Sequence, residues 1–173
     1  MNTIESRQTE HLLLTRLRAR DFEDLHIMHS NAQVMATLGG VRSRAETLRV
    51  LTALVADWEQ HGFGYWLARD RVRGTFAARG GLRRVVLEGQ PQVEVGYAVM
   101  PEFWGRGLAT EIARESIGVA FDELGLRELV CFTLPTNRAS QRVMQKAGFR
   151  YAGETMWADQ PHVLYRLSAR ESQ

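Results

Sequence analysis

The stretch VGYAVMPEFWGRGLATE, Val95–Glu111, decides the fold. It opens as an alternating apolar run of strand type, breaks at Pro101, and passes through Gly105-Arg106-Gly107 into residues with helical spacing. Glycine destabilises a helix by about 1 kcal/mol relative to alanine. Two glycines at a helix start therefore need a reason. Either the turn demands them, or a phosphate must approach the backbone closely. A Walker-type loop would end Gly-Lys-Ser/Thr, and the chain holds no such run. A dinucleotide fingerprint would put a third glycine where Thr110 stands and an acid at the end of the next strand, which instead reads FTLPTN. Both are excluded. What remains is a helix N-terminus whose free amides and positive dipole end can hold a diphosphate.

Outward from this stretch, LLLTRLR (12–18) alternates as a first strand, and Asp21 is placed to cap a helix with Phe22, Leu25 and Met28 inward. Ser43-Arg-Ala-Glu46 has capping-box spacing ahead of Leu48, Leu51, Leu54, Val55 and Trp58, and Gly62 can end that helix left-handed. FGYWLARD, TFAARGGLRRV and QVEVGYAVM read as three strands. The helix after the glycines puts Ala109, Ile112, Ala113, Ile117, Ala120, Phe121 and Leu124 on one face, with a stop at Gly125. LVCFTL (129–134) is a buried strand; Asn137 caps a helix carrying Val143, Met144 and Ala147, which Gly148 ends before Phe149. HVLYRL (162–167) closes the chain as a strand. The expected order is β-α-α-β-β-β-α-β-α-β-β: an α/β chain with a mixed sheet and helices against it, not doubly wound.

The chain has 173 residues, 45% hydrophobic and 24% charged, which suits one soluble domain with a genuine core. No apolar run approaches the roughly 20 residues that span a bilayer, and the N-terminus lacks a signal-peptide pattern, so a cytoplasmic address is expected with no membrane partner. The formal charge of +2 is mild, and its densest clusters, RVRG and GLRRV, sit near a hairpin rather than in a stripe. No nucleic-acid partner is expected. The single Cys131 offers no disulfide framework, and the five histidines show no ligand spacing, so no metal is expected.

VGYAVMPEFWGRGLATE, followed one helix and one strand later by NRASQRVMQKAGF (137–149), closely resembles the GNAT superfamily of acyl-CoA-dependent N-acetyltransferases. The nearest likeness is to the branch that acetylates N-termini of ribosomal proteins, with its small-molecule relatives, and it runs from about Leu12 to Leu167. The resemblance implies one GNAT-type domain over residues 1–173 (core about 12–168). Its sheet would be twisted and mostly antiparallel, with helices on both faces and strands splayed at a cofactor cleft. Acetyl-CoA would be the co-substrate and a homodimer is admitted. The family's diphosphate loop, Gln/Arg-x-x-Gly-x-Gly/Ala, falls on Trp104, Gly105, Arg106, Gly107, Leu108 and Ala109, with tryptophan in the first place, and Thr110 completes the first turn. Ala98, Val99 and Met100 would pair their backbone with pantetheine like an added strand. Asn137 and Ser140 would also meet the cofactor.

An amine must be neutral to attack a thioester. An α-amine with pKa about 8 loses roughly 1.4 kcal/mol to deprotonation at pH 7, and a lysine near 10.4 about 4.6. Glu94, two residues before Gly96, stands where relatives carry an active-site carboxylate and is the candidate base; its other reading is a strand glutamate that only grips the amine. Ser140 is the candidate donor to the leaving thiolate, because NRASQRVM lacks the tyrosine many relatives use there. Met35, Leu38 and Val41 are candidates to floor the acceptor pocket. Trp66, Trp104 and Trp157 wall it or fill the core. The expected acceptor is a primary amine of a protein N-terminus or small amino compound. The alternatives are a polyamine or aminoglycoside, or a noncatalytic acyl-CoA-binding module.

Overall fold

The structure, a computed structural model, describes residues 3–169. Among these, eight strands form one sheet: β1 (Ser6–Gln8), β2 (Leu12–Arg16), β3 (Tyr65–Asp70), β4 (Phe76–Leu87), β5 (Gln90–Val99), β6 (Glu128–Thr133), β7 (Arg150–Trp157) and β8 (Gln160–Ser168). Their spatial order is β1-β2-β3-β4-β5-β6-β8-β7. All neighbours are antiparallel except β5 and β6. The helices are α1 (Phe22–Ser30), α2 (Ala32–Met35), α3 (Arg44–His61), α4 (Leu108–Gly118) and α5 (Arg138–Lys146). The mixed α/β architecture expected from the sequence is present. No helix among the described residues is long and apolar enough to cross a membrane.

The differences have local causes. β1 is short and polar, too weak a pattern to read alone, and exists because it pairs with the edge of β2. α2 was not foreseen; the Asn31 carboxamide starts it by accepting from the amides of Gln33 and Val34. Asp21 precedes α1 but does not cap it, since its carboxylate accepts from the Arg18 amide instead. Leu48 is exposed, and Thr47 turns inward in its place to meet His29. α4 ends at Gly118 and continues as one wider turn, in which the Leu124 amide donates to the Val119 carbonyl. The capping box at Ser43, the stop at Gly62 and the cap at Asn137 form as their residues suggest.

Strand parity divides the sheet into two faces. Trp66, Gly80, Leu82, Val95 and Tyr97 point towards α4 and α5. The approach there is close: a Cβ on Gly80 would sit 2.7 Å from Ile112 Cγ2. Leu108 and Ile112 are fully buried on that face, and each contributes about 1.5–3 kcal/mol. Tyr65, Leu67, Arg79, Arg83 and Glu94 point the other way, where Leu25 of α1 and Leu51 and Leu54 of α3 cover Tyr65 and Leu67. Beyond them on this face lies an apolar cluster of Val85, Leu87, Val130, Phe132 and Leu164.

Candidate active site

The parallel contact between β5 and β6 rests on one pair, Glu94 with Val130. Beyond it the ladder stops, and the Cys131 thiol donates to the Val95 carbonyl at 3.0 Å across the gap. Burial pushes that thiol well above the ordinary cysteine range, so Cys131 is a structural filler, not a nucleophile. A parallel pair that loses its ladder leaves backbone donors and acceptors of β5 facing a slot. The stretch at its mouth is Ala98, Val99 and Met100. Ala98 and Met100 are buried, and the Met100 amide is already bonded to the Ala77 carbonyl. Trp104, 51% exposed as a residue, donates from Nε1 to the Val99 carbonyl at 2.7 Å.

The glycine loop follows. Gly105 and Gly107 have φ of 76° and 78°, a left-handed backbone that a side chain would strain, and a Cβ on either would meet nothing within 4 Å. The turn alone therefore requires glycine, and the space beside both is open. A groove of about 550 Å³ lies there, lined among others by Arg106, Gly107, Thr110, Arg114 and Lys146. Of the three acids on its wall, Glu111 is held by Thr9 and His11, Glu115 by Arg7, and the exposed Glu10 lies 3.8 Å from His11. Open backbone amides at the start of α4, with these cations, fit a diphosphate. Leu108 is buried and anchors the first turn, while Ala109 and Thr110 are half-buried. Arg106 is not loose. It pairs with the buried Asp70 at 3.1 Å, and Asp70 also accepts from the amides of Val72 and Arg73. Those amide bonds, then Arg106, hold the Asp70 carboxyl below its usual range.

On the α5 side of the slot, Asn137 caps the helix through the Ser140 amide and donates from Nδ2 to Thr133 Oγ1 at 3.0 Å, tying α5 to β6. Ser140 does not stand alone. The Tyr97 hydroxyl lies 3.0 Å from Ser140 Oγ and 3.1 Å from its carbonyl oxygen. The sequence analysis missed this tyrosine because it sought one on the helix, whereas the strand supplies it. The signal was present in VGYAV: the residue after Gly96 faces α5 by strand parity. Burial pushes the Tyr97 hydroxyl far above an ordinary tyrosine.

On the other face, Glu94 is 6% exposed and receives Arg83 through Nε at 2.8 Å and through Nη2, both on Oε2. Arg83 lies over the rings of Trp157 and Tyr65. Arg79, two same-face positions along β4 with Gly81 between, lies over Tyr65 with its charge centre 5.0 Å from the ring. Above them, Arg42 donates from Nη1 towards His29 Nε2 at 3.2 Å and from Nη2 to the Leu38 carbonyl. An arginine can only donate, so His29 Nε2 accepts and its Nδ1 carries the proton towards Thr47. Burial, then the charges of Arg79 and Arg42, push His29 down to about 3, and it is neutral.

Three expected pocket residues fall elsewhere. Trp66 is 1% exposed in the α4-side core, with Nε1 bonded to the Ile4 carbonyl, because Tyr65 holds the parity that faces the acceptor side. Met35 is fully buried in the core and Val41 is 59% exposed, so neither floors a pocket. Leu38 is half-buried and packs on the core edge, bonding Arg42 through its carbonyl. Trp157 sits on the acceptor face, its ring against Phe132 and Arg83. No group of His, Cys, Asp and Glu among the described residues is arranged to hold a metal.

A family model described as an acetyltransferase (GNAT) domain matches residues 11–150. YkkB of Bacillus subtilis (strain 168) is 26% identical over 160 residues, covering 89% of this chain and 93% of YkkB. The FsC-acetyl coenzyme A-N(2)-transacetylase of Aspergillus fumigatus is 32% identical over 139 residues, covering 76% of this chain and 58% of that protein. An acetyltransferase structure from Agrobacterium tumefaciens str. C58 superposes with TM-score 0.83 at 25% identity, covering 95% of each chain. Two more distant structures share the fold. One is a ribosomal-protein-S5-alanine acetyltransferase from Vibrio fischeri, with TM-score 0.77, 18% identity and 97% and 98% coverage. The other is the aminoglycoside acetyltransferase AAC(6')-Ib with coenzyme A, with TM-score 0.76, 16% identity and 92% and 96% coverage. With the open β5–β6 slot and glycine loop lying inside the matched span, the chain belongs to the GNAT family of acetyl-CoA-dependent acetyltransferases.

Proposed function

We propose that the chain moves the acetyl group of acetyl-CoA to the primary amine of a protein N-terminus or small amino compound, by direct attack on the thioester. The observation that supports this reading best is the loss of the β5–β6 ladder after Glu94, which leaves the β5 backbone between that carboxylate and the glycine loop unpaired on its β6 side. The loop, Arg114 and Lys146 take the diphosphate, and the backbone at Ala98 and Val99 takes the pantetheine amides. The amine nitrogen forms a bond to the acetyl carbon, and the C–S bond breaks with its electron pair on sulfur. The amine's proton passes through water to Glu94 Oε1, since both arginine contacts fall on Oε2. Tyr97 and Ser140 stabilise the thiolate by hydrogen bonding. With its hydroxyl so weakly acidic, Tyr97 keeps its proton, and sulfur takes one from solvent.

Residues 34–44, VMATLGGVRSR, hold no acid, and the nearby face carries Arg42, Arg79 and Arg83. That charge disfavours a polycation. The test is a competition among an Ala- or Ser-started peptide, free amino compounds, spermidine, an aminoglycoside and acetyl-blocked lysine peptides at equal concentration. Acetylation of a peptide N-terminus or small amino compound is expected first. Preference for spermidine or the aminoglycoside overturns the acceptor reading.

A further inference from the structure

The charge on the acceptor face is unbalanced. Arg42, Arg79 and Arg83 interact with one another, Arg42 and Arg79 also with His29, and the one buried carboxylate among them is Glu94. Three cations face one buried anion there, and His29 is neutral. Glu94 spends both guanidinium contacts on Arg83. The outlying acids act on the other two cations, Glu46 on Arg42 and Asp57 on Arg83, while for Arg79 the nearest carboxylate is Glu94.

Arg79 is the least satisfied member. It is 8% exposed, and its Nε finds no hydrogen-bond partner among the described residues. The ring and hydroxyl of Tyr65 and the more distant charge of Glu94 offset part of the cost of burying the charge, but a buried guanidinium normally has an anion in direct contact or several acceptors. Burial pulls the Arg79 guanidinium below the usual arginine range, the direction expected of a cation short of a counter-ion. The position is informative as well. Arg79 pairs across the ladder with Ala98, at the mouth of the slot, and shares its face with Glu94. An acceptor whose amine lies near Glu94 therefore has Arg79 within one small molecule's length.

We propose that Arg79, backed by Arg83 and Arg42, is a carboxylate-binding site for the acceptor, so that the acetylated molecule is an amine that also carries a carboxylate, such as a free amino acid. A guanidinium matches the two oxygens of a carboxylate in one plane, and such charge-assisted contacts strengthen where water is excluded. This selects the small amino compound over a peptide N-terminus, whose α-carboxyl is consumed in an amide. It rests on the acetyl-transfer reading above and is tested so that the two can fail separately.

The experiment sets free amino acids beside their own carboxamides and beside O-phosphoethanolamine. Two readouts are used: acetylation kinetics, and calorimetric titration of each compound into the enzyme–CoA complex. The expected result is a carboxylate preferred over its carboxamide by at least about tenfold in kcat/KM and in Kd. Arg79→Gln should erase that preference while acetyl-CoA affinity is unchanged. Equal use of acid and amide by the unaltered enzyme overturns the site, whatever the variant does. Preference for the phosphate compound overturns the carboxylate assignment. Selective carboxylate binding without acetyl transfer upholds the site and removes the reaction instead.

Discussion

Gly96 lies at the point where the slot opens, and Gly96→Ala tests whether the packing around Tyr65 is as tight as described. Its backbone is not left-handed, so alanine is conformationally admissible. The obstacle is space. A Cβ there would fall inside the contact radius of the Tyr65 hydroxyl oxygen, and 2.7 Å from Cζ and 3.2 Å from Cε1. Carbon atoms rest at about 3.5–4.0 Å, so the ring must retreat by about 1 Å and its hydroxyl by more. Tyr65 is buried, with Leu25, Leu51 and Leu54 packed in the same cluster and Arg79 and Arg83 over its ring. Overpacking of this kind costs about 1–3 kcal/mol. With a urea slope of about 1–3 kcal/mol/M, the unfolding midpoint should fall by about 1 M at constant slope. Tyr65→Phe removes the oxygen but leaves Cζ at its distance, so the double variant should recover only part of the loss. Turnover should fall with the displaced ring, because Arg79 rests on it. A Gly96→Ala protein with an unchanged midpoint and unchanged turnover would refute the packing argument.

The remaining expectations concern catalysis and pH. Glu94→Gln should lower kcat by about 10²-fold or more with acetyl-CoA affinity little changed, read by steady-state kinetics and titration; a fall confined to amine affinity makes the residue a binder. Tyr97→Phe should cost more than Ser140→Ala in single-turnover transfer, because the tyrosine reaches both the serine hydroxyl and its carbonyl; the reverse order would return the role to the serine. His29 is neutral in both folded and unfolded chains above pH 6.5, but below it only the unfolded chain takes the proton. Stability should therefore fall from pH 6.5 down to about 3. At pH 5 the loss reaches about 2 kcal/mol as an upper bound. His29→Gln should lack this share when unfolding is followed at both pH 7.5 and pH 5.

The helix starts and stops were legible because single residues determine them. Ser43 with Glu46, and Asn137, form the caps their side chains allow. The glycine loop was legible as a motif, but its reason was not. Only the φ values show that the turn requires Gly105 and Gly107 before any ligand arrives. The acceptor site was least legible. Trp66 and Tyr65 are neighbours in sequence and lie on opposite faces, and one step of strand parity separates a core residue from a site residue. GLRRV reads as a solvated rim first and an anionic-ligand patch second, yet Arg83 turns inward onto Glu94, and Arg79, just before that cluster, is buried because β4 has neighbours on both sides. Charge that is paired across strands leaves no pattern along one strand.

The central claim is acetyl transfer to an amine, and it is tested most directly by mass spectrometry of products together with release of free thiol. The unaltered enzyme, acetyl-CoA and a panel of amines should give one N-acetylated amine for each CoA released, at a rate lower by about 10²-fold or more when Glu94 is replaced by glutamine. Thiol release at the same rate without acetylated amine, or tight acetyl-CoA binding with neither product, would contradict the account.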